Sequence, residues 1–95
     1  LGHDVVVFES NSRPGGLNAY GVAPYKLTNE DAKKEVDYVK HIGFEIKTNI
    51  TIGEGKYAIT DLENQFNAIF IATGLGASKK VKIKGEDLKG VIGAT

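Results

Sequence analysis

The residue with the clearest capacity for chemistry is Glu9, an acid that directly follows the apolar run Val-Val-Val-Phe at residues 5–8. A short β-branched run that ends in an acid is typical of the second strand of a dinucleotide-binding βαβ unit. There the carboxylate accepts hydrogen bonds from both hydroxyls of an adenosine ribose, and its charge disfavours a 2′-phosphorylated nucleotide. The alternative is a solvated acid at the end of an ordinary strand. Without its neighbours, Glu9 fits both interpretations about equally well.

A second candidate is the segment Arg13-Pro14-Gly15-Gly16-Leu17, which begins four residues after the acid. Adjacent glycines adopt positive φ angles at little steric cost and let the backbone lie close to a bulky ligand. The guanidinium of Arg13 carries a planar fork of donors that suits a phosphate. Taken alone, the Pro-Gly-Gly run is better explained as a tight turn.

The third candidate is the run Ile-Phe-Ile-Ala-Thr-Gly at residues 69–74. A buried strand that ends in small residues lets the chain pass beside a nucleotide at the carboxyl edge of a parallel sheet, where ligands of such folds bind. A core strand followed by a turn glycine explains the same pattern equally well.

These candidates must be positioned by an α/β arrangement, whose best-marked element is a helix. Thr28 can cap the helix, Asp31 occupies its third position and Gly43 ends it. Its apolar residues recur at helical spacing and should form one buried face: Ala32, Val36, Val39 and Ile42.

The rest of the pattern predicts a partial parallel sheet. We expect a buried parallel strand at 5–9, a loop at 10–16, an irregular connection at 17–27, a strand at 44–48, a hairpin or loop at 50–59, one helical turn at 61–65 opened by Thr60, and a second buried strand at 68–73. The sheet should be built from the strands near residues 5 and 69. The helix and a strand pair, expected to be antiparallel, would be inserted between them.

The composition argues against several classes of function. The 12 basic and 12 acidic side chains cancel, and no basic stripe with interleaved aromatics is present, so no nucleic-acid partner is expected. The absence of cysteine excludes disulfides and thiolate chemistry. The longest apolar stretch is far too short to span a bilayer, and no signal peptide is visible, so we expect no membrane partner and a cytoplasmic location. The sequence contains no nucleophile paired with a base, so it predicts no catalytic residue. It also contains no ligands at metal-binding spacing, so it predicts no metal site.

One expected motif is missing. A Gly-x-Gly-x-x-Gly phosphate loop should lie roughly 20 residues before such an acid, but the chain starts at Leu1 and contains no methionine. We therefore expect residues 1–95 to be a single segment of a larger nucleotide-binding protein.

Together the motifs resemble one family in order along essentially the whole chain. They are residues 1–5 (LGHDV), 8–9 (FE), 13–17 (RPGGL), 25–27 (YKL) and 71–74 (IATG). They resemble the pyridine-nucleotide-disulfide-oxidoreductase-like flavoproteins, in the branch of the glutamate synthase small subunit and dihydropyrimidine dehydrogenase. Residues 85–91 are similar to the segment that leads from the flavin domain toward the nicotinamide domain, so 83–95 is expected to be an exit segment. Two positions depart from the family: Lys84 stands where proline is usual, and Asn67 where many members have an acid.

The resemblance implies a partial Rossmann-like FAD/NAD(P)-binding domain that lacks its first βα phosphate loop. In the intact protein, electrons would pass from NAD(P)H through FAD to iron–sulfur clusters. Its partners would be the remainder of the flavoprotein and an iron–sulfur or large catalytic subunit, and this segment could self-associate through an exposed sheet edge. By analogy Glu9 would hold the adenosine ribose of FAD. Gly15, Gly16 and Leu17 would line the flavin side of the nucleotide. Arg13 and Lys26 would lie near FAD, and Thr73 and Gly74 would border it.

Three alternatives stay open. A thioredoxin-reductase-like flavoprotein would carry a redox-active cysteine pair elsewhere in the protein. A non-catalytic α/β interaction module would lack the glycine loop in its full-length gene. A plain NAD-binding domain is disfavoured by the combination of the paired glycines with the downstream Ala-Thr-Gly.

We predict that the purified 95-residue chain binds FAD weakly or not at all. Without the phosphate loop, the pyrophosphate has no helix N-terminus on which to sit. The flavin absorbance of the purified chain measures this. A tight, stoichiometric yellow colour would contradict the prediction.

Overall fold

The computed structural model describes residues 2–53, 57–75, 79–80 and 82–92. Within these ranges the chain forms a small α/β arrangement compatible with part of a Rossmann-like domain. Its elements, in chain order, are β1 (Val6–Phe8), α1 (Gly16–Tyr20), α2 (Asn29–Lys40), β2 (Glu45–Lys47) and α3 (Ile59–Gln65).

The two strands form a parallel pair in which Val6 lies opposite Glu45 and Phe8 opposite Lys47. The ladder continues past both strands, because the Glu9 amide donates to the Lys47 carbonyl at 2.9 Å and the Ile50 amide donates to the Glu9 carbonyl at 3.0 Å. The predicted strand at 5–9 is thus present, but its burial was overestimated. Val6 and Phe8 are half-buried, and Val7 is exposed.

Two predictions about the sheet are wrong. The strand at 45–47 runs parallel to β1, and among the described residues it has no antiparallel partner. The described residues of 50–59, predicted as a hairpin or loop, form no strand, and the Gly53 amide donates to the Tyr57 carbonyl. The buried strand expected at 68–73 is also not formed. These residues carry no strand, Phe70 is 92% exposed, and no backbone hydrogen bond joins them to another described residue. An apolar run becomes a strand only where a neighbour pairs with its backbone.

Helix α2 begins and ends as its sequence predicts. The Thr28 hydroxyl oxygen accepts from the Asp31 amide at 3.1 Å, and the Thr28 hydroxyl donates to the Asp31 carboxylate at 2.6 Å. His41 caps the carboxyl end, and Gly43 follows with a φ of +105°, a left-handed conformation that suits glycine. Local hydrogen bonding by the Thr28 side chain therefore fixes where this helix begins.

The apolar face of α2 is only half covered. Ala32 is 2% exposed and Val36 is half-buried, but Val39 is exposed and Ile42 is 79% exposed. The predicted buried stripe is therefore wrong in its carboxyl half. The element that packs on α2 is α1, which at five residues is less than half the length of the 12-residue α2.

Two other elements differ from prediction. The connection at 17–27, expected to be irregular, contains α1. Helix α3 begins after Ala58, so Thr60 lies inside the helix instead of capping it, and no side chain caps its start. This helix buries Leu62, and it ends next to Phe66, whose ring meets Phe8 edge-on with centroids 6.1 Å apart. The strand and the helix thus share a small aromatic and aliphatic cluster.

The chain leaves much of its surface unburied. Its accessible area is 8534 Å², whereas a compact protein of 10.2 kDa exposes about 5,300 Å². Its radius of gyration is 16.7 Å, against about 12 Å for a compact domain of this length. None of the helices in the described ranges has the length and apolar character that a membrane crossing requires.

Residues 82–92 form successive turns instead of a helix or strand. The amides of Glu86, Leu88 and Val91 each donate to the carbonyl three residues earlier. The Lys82 amide donates to the Glu86 carboxylate at 2.8 Å. The last predicted residues of the exit segment, 93–95, lie outside the described residues.

We predict that Thr28→Ala destabilises α2 by about 1 kcal/mol, because the amide of Asp31 loses its acceptor. Circular dichroism at 222 nm during urea unfolding measures the change. Thr51→Ala, at an exposed position outside the helices, is the matched control and should leave the transition in place.

The cap at Thr28 also makes the stability of α2 depend on pH. The Thr28 hydrogen bond, followed by that of Lys34 and its charge, lowers the pKa of Asp31 below its usual 3.8. Since the folded-state pKa is depressed, the stabilisation is complete above the unfolded value and is lost as the pH falls through the folded one. The acid-induced loss of helix signal should be smaller in Thr28→Ala, and an unchanged acid transition would contradict this account of the cap.

Candidate functional site

Glu9 lies at the carboxyl end of β1, and its backbone is fixed on both sides. Its amide donates to Lys47 and its carbonyl accepts from Ile50, so the parallel ladder holds the residue independently of its side chain. The carboxyl ends of parallel strands are where α/β proteins bind their ligands. The structure therefore places the acid at the edge where the sequence expected a ligand.

The Glu9 carboxylate uses one of its two oxygens to organise the loop that follows. Oε1 accepts from the Asn11 amide at 2.8 Å, from the Asn11 side chain at 3.0 Å and from the Ser10 hydroxyl at 3.4 Å. Among the described residues, none donates to Oε2. Each carboxylate oxygen offers about two acceptor positions, so Oε2 can accept hydrogen bonds from a ligand while Oε1 keeps the loop in place.

Asn11 connects the loops that follow the two strands. Its carbonyl accepts from the Asn49 amide at 3.1 Å, while its own amide and side chain donate to Glu9. Asn49 has a φ of +58°, which asparagine tolerates better than most residues. Asn11 was not among the predicted site residues. An asparagine two residues after a strand-ending acid is a local turn signal that could have identified it.

Arg13 is held by Tyr20 of α1. The Arg13 amide donates to the phenol oxygen at 3.0 Å, and the guanidinium carbon lies 4.9 Å from the ring centroid. Arginine over an aromatic face gains cation–π attraction, and a guanidinium carries five N–H donors, so a bond to the phenol leaves others for an anion. Tyr20 was not predicted either, because a seven-residue separation across a loop carries no periodic signal.

The pKa of Tyr20 reflects the same contacts. Partial desolvation would raise the pKa of the phenol. Hydrogen bonds from the Ser12 side chain and from the Arg13 backbone and side chain, together with the charge of Arg13, outweigh this effect and lower the pKa below its usual value. The positive charge of Arg13 therefore lies close to Tyr20, in the loop between Glu9 and α1.

The paired glycines have different surroundings. Gly15 caps α1 with a φ of +125°, and a Cβ there would lie 3.1 Å from the Ala19 Cβ and 3.8 Å from a Val36 methyl. It therefore serves the tight turn and the packing of α1 on α2. Gly16 has a φ of +52°, and a Cβ added to it would meet no atom within 4 Å. Together with the exposed Leu17, it leaves the loop backbone accessible.

The remaining predicted site residues are not brought to this loop. The Lys26 ammonium lies 5.8 Å from the ring centroid of the exposed Tyr25. Thr73 and Gly74 are exposed at the end of the 68–74 segment, whose backbone makes no hydrogen bond to another described residue. In the described ranges, no hydrogen bond, ion pair or ring contact links Lys26, Thr73 or Gly74 to residues 9–17, and no cluster of His, Asp and Glu could hold a metal ion. The structure thus holds Glu9, Arg13, Gly15, Gly16 and Leu17 along the loop after β1 and the start of α1, and leaves the other three apart.

Comparison with known proteins identifies relatives through sequence alone. No family model and no solved structure matches the chain. The chain is 36% identical over 90 residues to the glutamate synthase [NADPH] small chain of Bacillus subtilis, which is 95% of this chain and 18% of that protein. It is 34% identical over 86 residues to the NADP(+)-dependent formate dehydrogenase subunit beta of Moorella thermoacetica, covering 90% of this chain and 12% of the relative.

A third relative is the NAD-dependent dihydropyrimidine dehydrogenase subunit PreT homolog of Salmonella typhi, 24% identical over 83 residues, with 87% of this chain and 20% of that protein aligned. The chain thus spans a fifth or less of the length of each of these relatives. All three match it over most of its own length, in the branch that its motifs resemble. Over most of its own length, the chain is thus similar to a segment of oxidoreductase subunits from the branch that its motifs resemble, that of the glutamate synthase small subunit and dihydropyrimidine dehydrogenase.

Proposed function

We propose that this chain forms part of the FAD site of an oxidoreductase that passes electrons from NAD(P)H through FAD to a downstream acceptor. The observation that carries the proposal is the position of Glu9 at the carboxyl end of a parallel strand, with no described residue donating to its Oε2. The names of the relatives support it, since they describe NADPH- and NADP(+)-dependent oxidoreductase subunits. Because the chain spans a fifth or less of those proteins, the activity of the whole protein belongs to this proposal.

The loop after β1 fits the adenosine side of such a cofactor. Glu9 accepts hydrogen bonds from the ribose hydroxyls, which are neutral donors that suit a carboxylate. Arg13, held on Tyr20, directs its fork of donors toward a phosphate. Gly16, with open space beside its backbone, and Leu17 lie next to the nucleotide. The loop thereby offers a negative group for the sugar and a positive group for the phosphate within a few residues of each other.

The other site residues join when the 68–74 segment is paired. Thr73 and Gly74 then border the cofactor at the end of a strand, and Lys26 contributes a second positive charge near FAD. FAD supplies the redox chemistry, and the residues of this chain bind and orient it. We assign no catalytic acid or base to the segment, so the isolated 95 residues are not catalytic.

The wider setting of the segment follows from the same proposal. Residues 83–95 lead toward a nicotinamide-nucleotide domain, and the successive turns at 82–92 suit a connection between domains. The partners are the remainder of the flavoprotein and an iron–sulfur or large catalytic subunit, which holds the clusters that accept the electrons. We place the protein in the cytoplasm.

The binding role of Glu9 is tested with adenosine 5′-monophosphate, which carries the ribose diol without the flavin. In ¹H–¹⁵N spectra of the chain, millimolar nucleotide should shift the amide signals of Glu9, Asn11 and Arg13. Glu9→Gln keeps an acceptor for Asn11 but loses the charge. The affinity of this variant for adenosine 5′-monophosphate should therefore fall by about tenfold or more, which corresponds to the free energy of a hydrogen bond to a charged group. Glu35→Gln, at an exposed carboxylate on α2, should bind as the wild type does.

Adenosine 2′-monophosphate serves as the specificity control. Its phosphate would face the Glu9 carboxylate, so it should bind the wild-type chain more weakly than the 5′ isomer does. The difference between the isomers should narrow in Glu9→Gln. Equal affinities of the wild type and Glu9→Gln for the 5′ isomer would contradict the proposal.

A further inference from the structure

Three donors converge on a single oxygen of the Glu9 carboxylate, and two of them belong to Asn11. The Asn11 backbone amide donates to Oε1 at 2.8 Å and its side-chain amide at 3.0 Å, while the Ser10 hydroxyl lies farther away at 3.4 Å. The side-chain oxygen of Asn11 cannot take the place of its nitrogen, because two acceptors would then face each other. Asn11 therefore holds one oxygen of the carboxylate in a defined orientation.

Asn11 is itself held by the segment that follows β2. Two successive amides of that segment donate to the loop after β1: the amide of Asn49 to the Asn11 carbonyl at 3.1 Å, and the amide of Ile50 to the Glu9 carbonyl at 3.0 Å. The backbones of Glu9 and Asn11 are thus fixed to the same neighbouring segment. Although Asn11 and Asn49 are exposed, the carboxylate is held by a frame that includes both strands.

We propose that Asn11 is a positioning residue, which orients the Glu9 carboxylate before the ribose binds. The inference rests on the proposed function, in which Glu9 accepts hydrogen bonds from the ribose hydroxyls. Since Asn11 holds Oε1 and no described residue donates to Oε2, the second oxygen is the one that meets the hydroxyls. A glutamate side chain that is ordered only on binding loses its rotamer freedom at that moment, which weakens binding. Asn11 removes part of this loss by ordering the side chain in advance.

An asparagine orients the carboxylate without neutralising its charge. In the part of the chain that the structure describes, no Lys or Arg forms an ion pair with Glu9, and the guanidinium of Arg13 lies over the Tyr20 ring. The negative charge of Glu9 therefore remains available for charge-assisted hydrogen bonds from hydroxyl groups. A lysine or arginine at position 11 would place its own charged donors beside the carboxylate and compete with the ligand.

The rotamer of Glu9 in the free chain tests the positioning role without any ligand. Three-bond couplings across χ1 of Glu9, measured by nuclear magnetic resonance, should indicate one dominant rotamer in the wild type and averaging in Asn11→Ala. Asn64→Ala, at an exposed asparagine on α3, is the matched control and should keep the wild-type couplings. Averaged couplings in the wild type, or wild-type couplings in Asn11→Ala, would overturn the proposal.

Two nucleotides separate positioning from a general structural role of Asn11. Adenosine 5′-monophosphate carries the ribose diol, and its 2′,3′-dideoxy analogue keeps the base and the phosphate but lacks both hydroxyls. In ¹H–¹⁵N titrations, Asn11→Ala should bind the first nucleotide about two- to tenfold more weakly, which corresponds to the freedom of one ordered side chain. Its affinity for the dideoxy analogue should be unchanged. An equal loss for both nucleotides, as a merely structural role produces, would count against the proposal.

The wild-type chain separates failure of this inference from failure of the proposed function. If the wild type prefers adenosine 5′-monophosphate to the dideoxy analogue and Asn11→Ala binds both as the wild type does, positioning by Asn11 is overturned and the role of Glu9 stands. If the wild type binds the two nucleotides equally, the ribose hydroxyls contribute nothing. The proposed role of Glu9 is then overturned together with that of Asn11.

Discussion

The parallel ladder between β1 and β2 is the interaction on which the rest of the arrangement depends. It fixes Phe8, whose ring meets Phe66 and Tyr57 and so brings α3 to the sheet. It also fixes Glu9, which is paired on both sides by Lys47 and Ile50. A slip of one residue in β1 would exchange its two faces, moving Phe8 away from α3. The aromatic cluster and the position of the acid thus depend on the same register.

The loop after β1 shows how residues suited to a ligand also hold the local structure. One oxygen of Glu9 orders Asn11, while no described residue donates to the other. Gly15 makes the turn into α1, and its neighbour Gly16 leaves the backbone accessible. Arg13 is likewise oriented by Tyr20. The structural and the ligand-binding interpretations of these residues are therefore compatible. One oxygen of Glu9 and Gly15 hold the local structure, and the other oxygen and Gly16 are available to a ligand.

The sequence predicted correctly the features that depend on contacts between residues close together in the chain, and not those that depend on distant residues. Helix α2 was predicted at both ends because Thr28, Asp31 and Gly43 act through local contacts. The strand before Glu9 was predicted from its β-branched run. The direction of β2 and the unpaired state of 68–73 were not predicted, because strand pairing depends on distant neighbours that an apolar pattern does not specify. For the same reason, the sequence grouped Thr73 and Gly74 with Glu9, whereas the structure leaves them apart.

The central claim is that the β1–β2 ladder holds Glu9 at the carboxyl edge of the sheet. Native-state hydrogen exchange of the Glu9, Asn49 and Ile50 amides tests it most directly, because these three donors extend the ladder and join the two loops at that edge. The predicted result is exchange at least about tenfold slower than the intrinsic rates, equivalent to an opening free energy of about 1.4 kcal/mol. Exchange of all three amides at their intrinsic rates would contradict the claim.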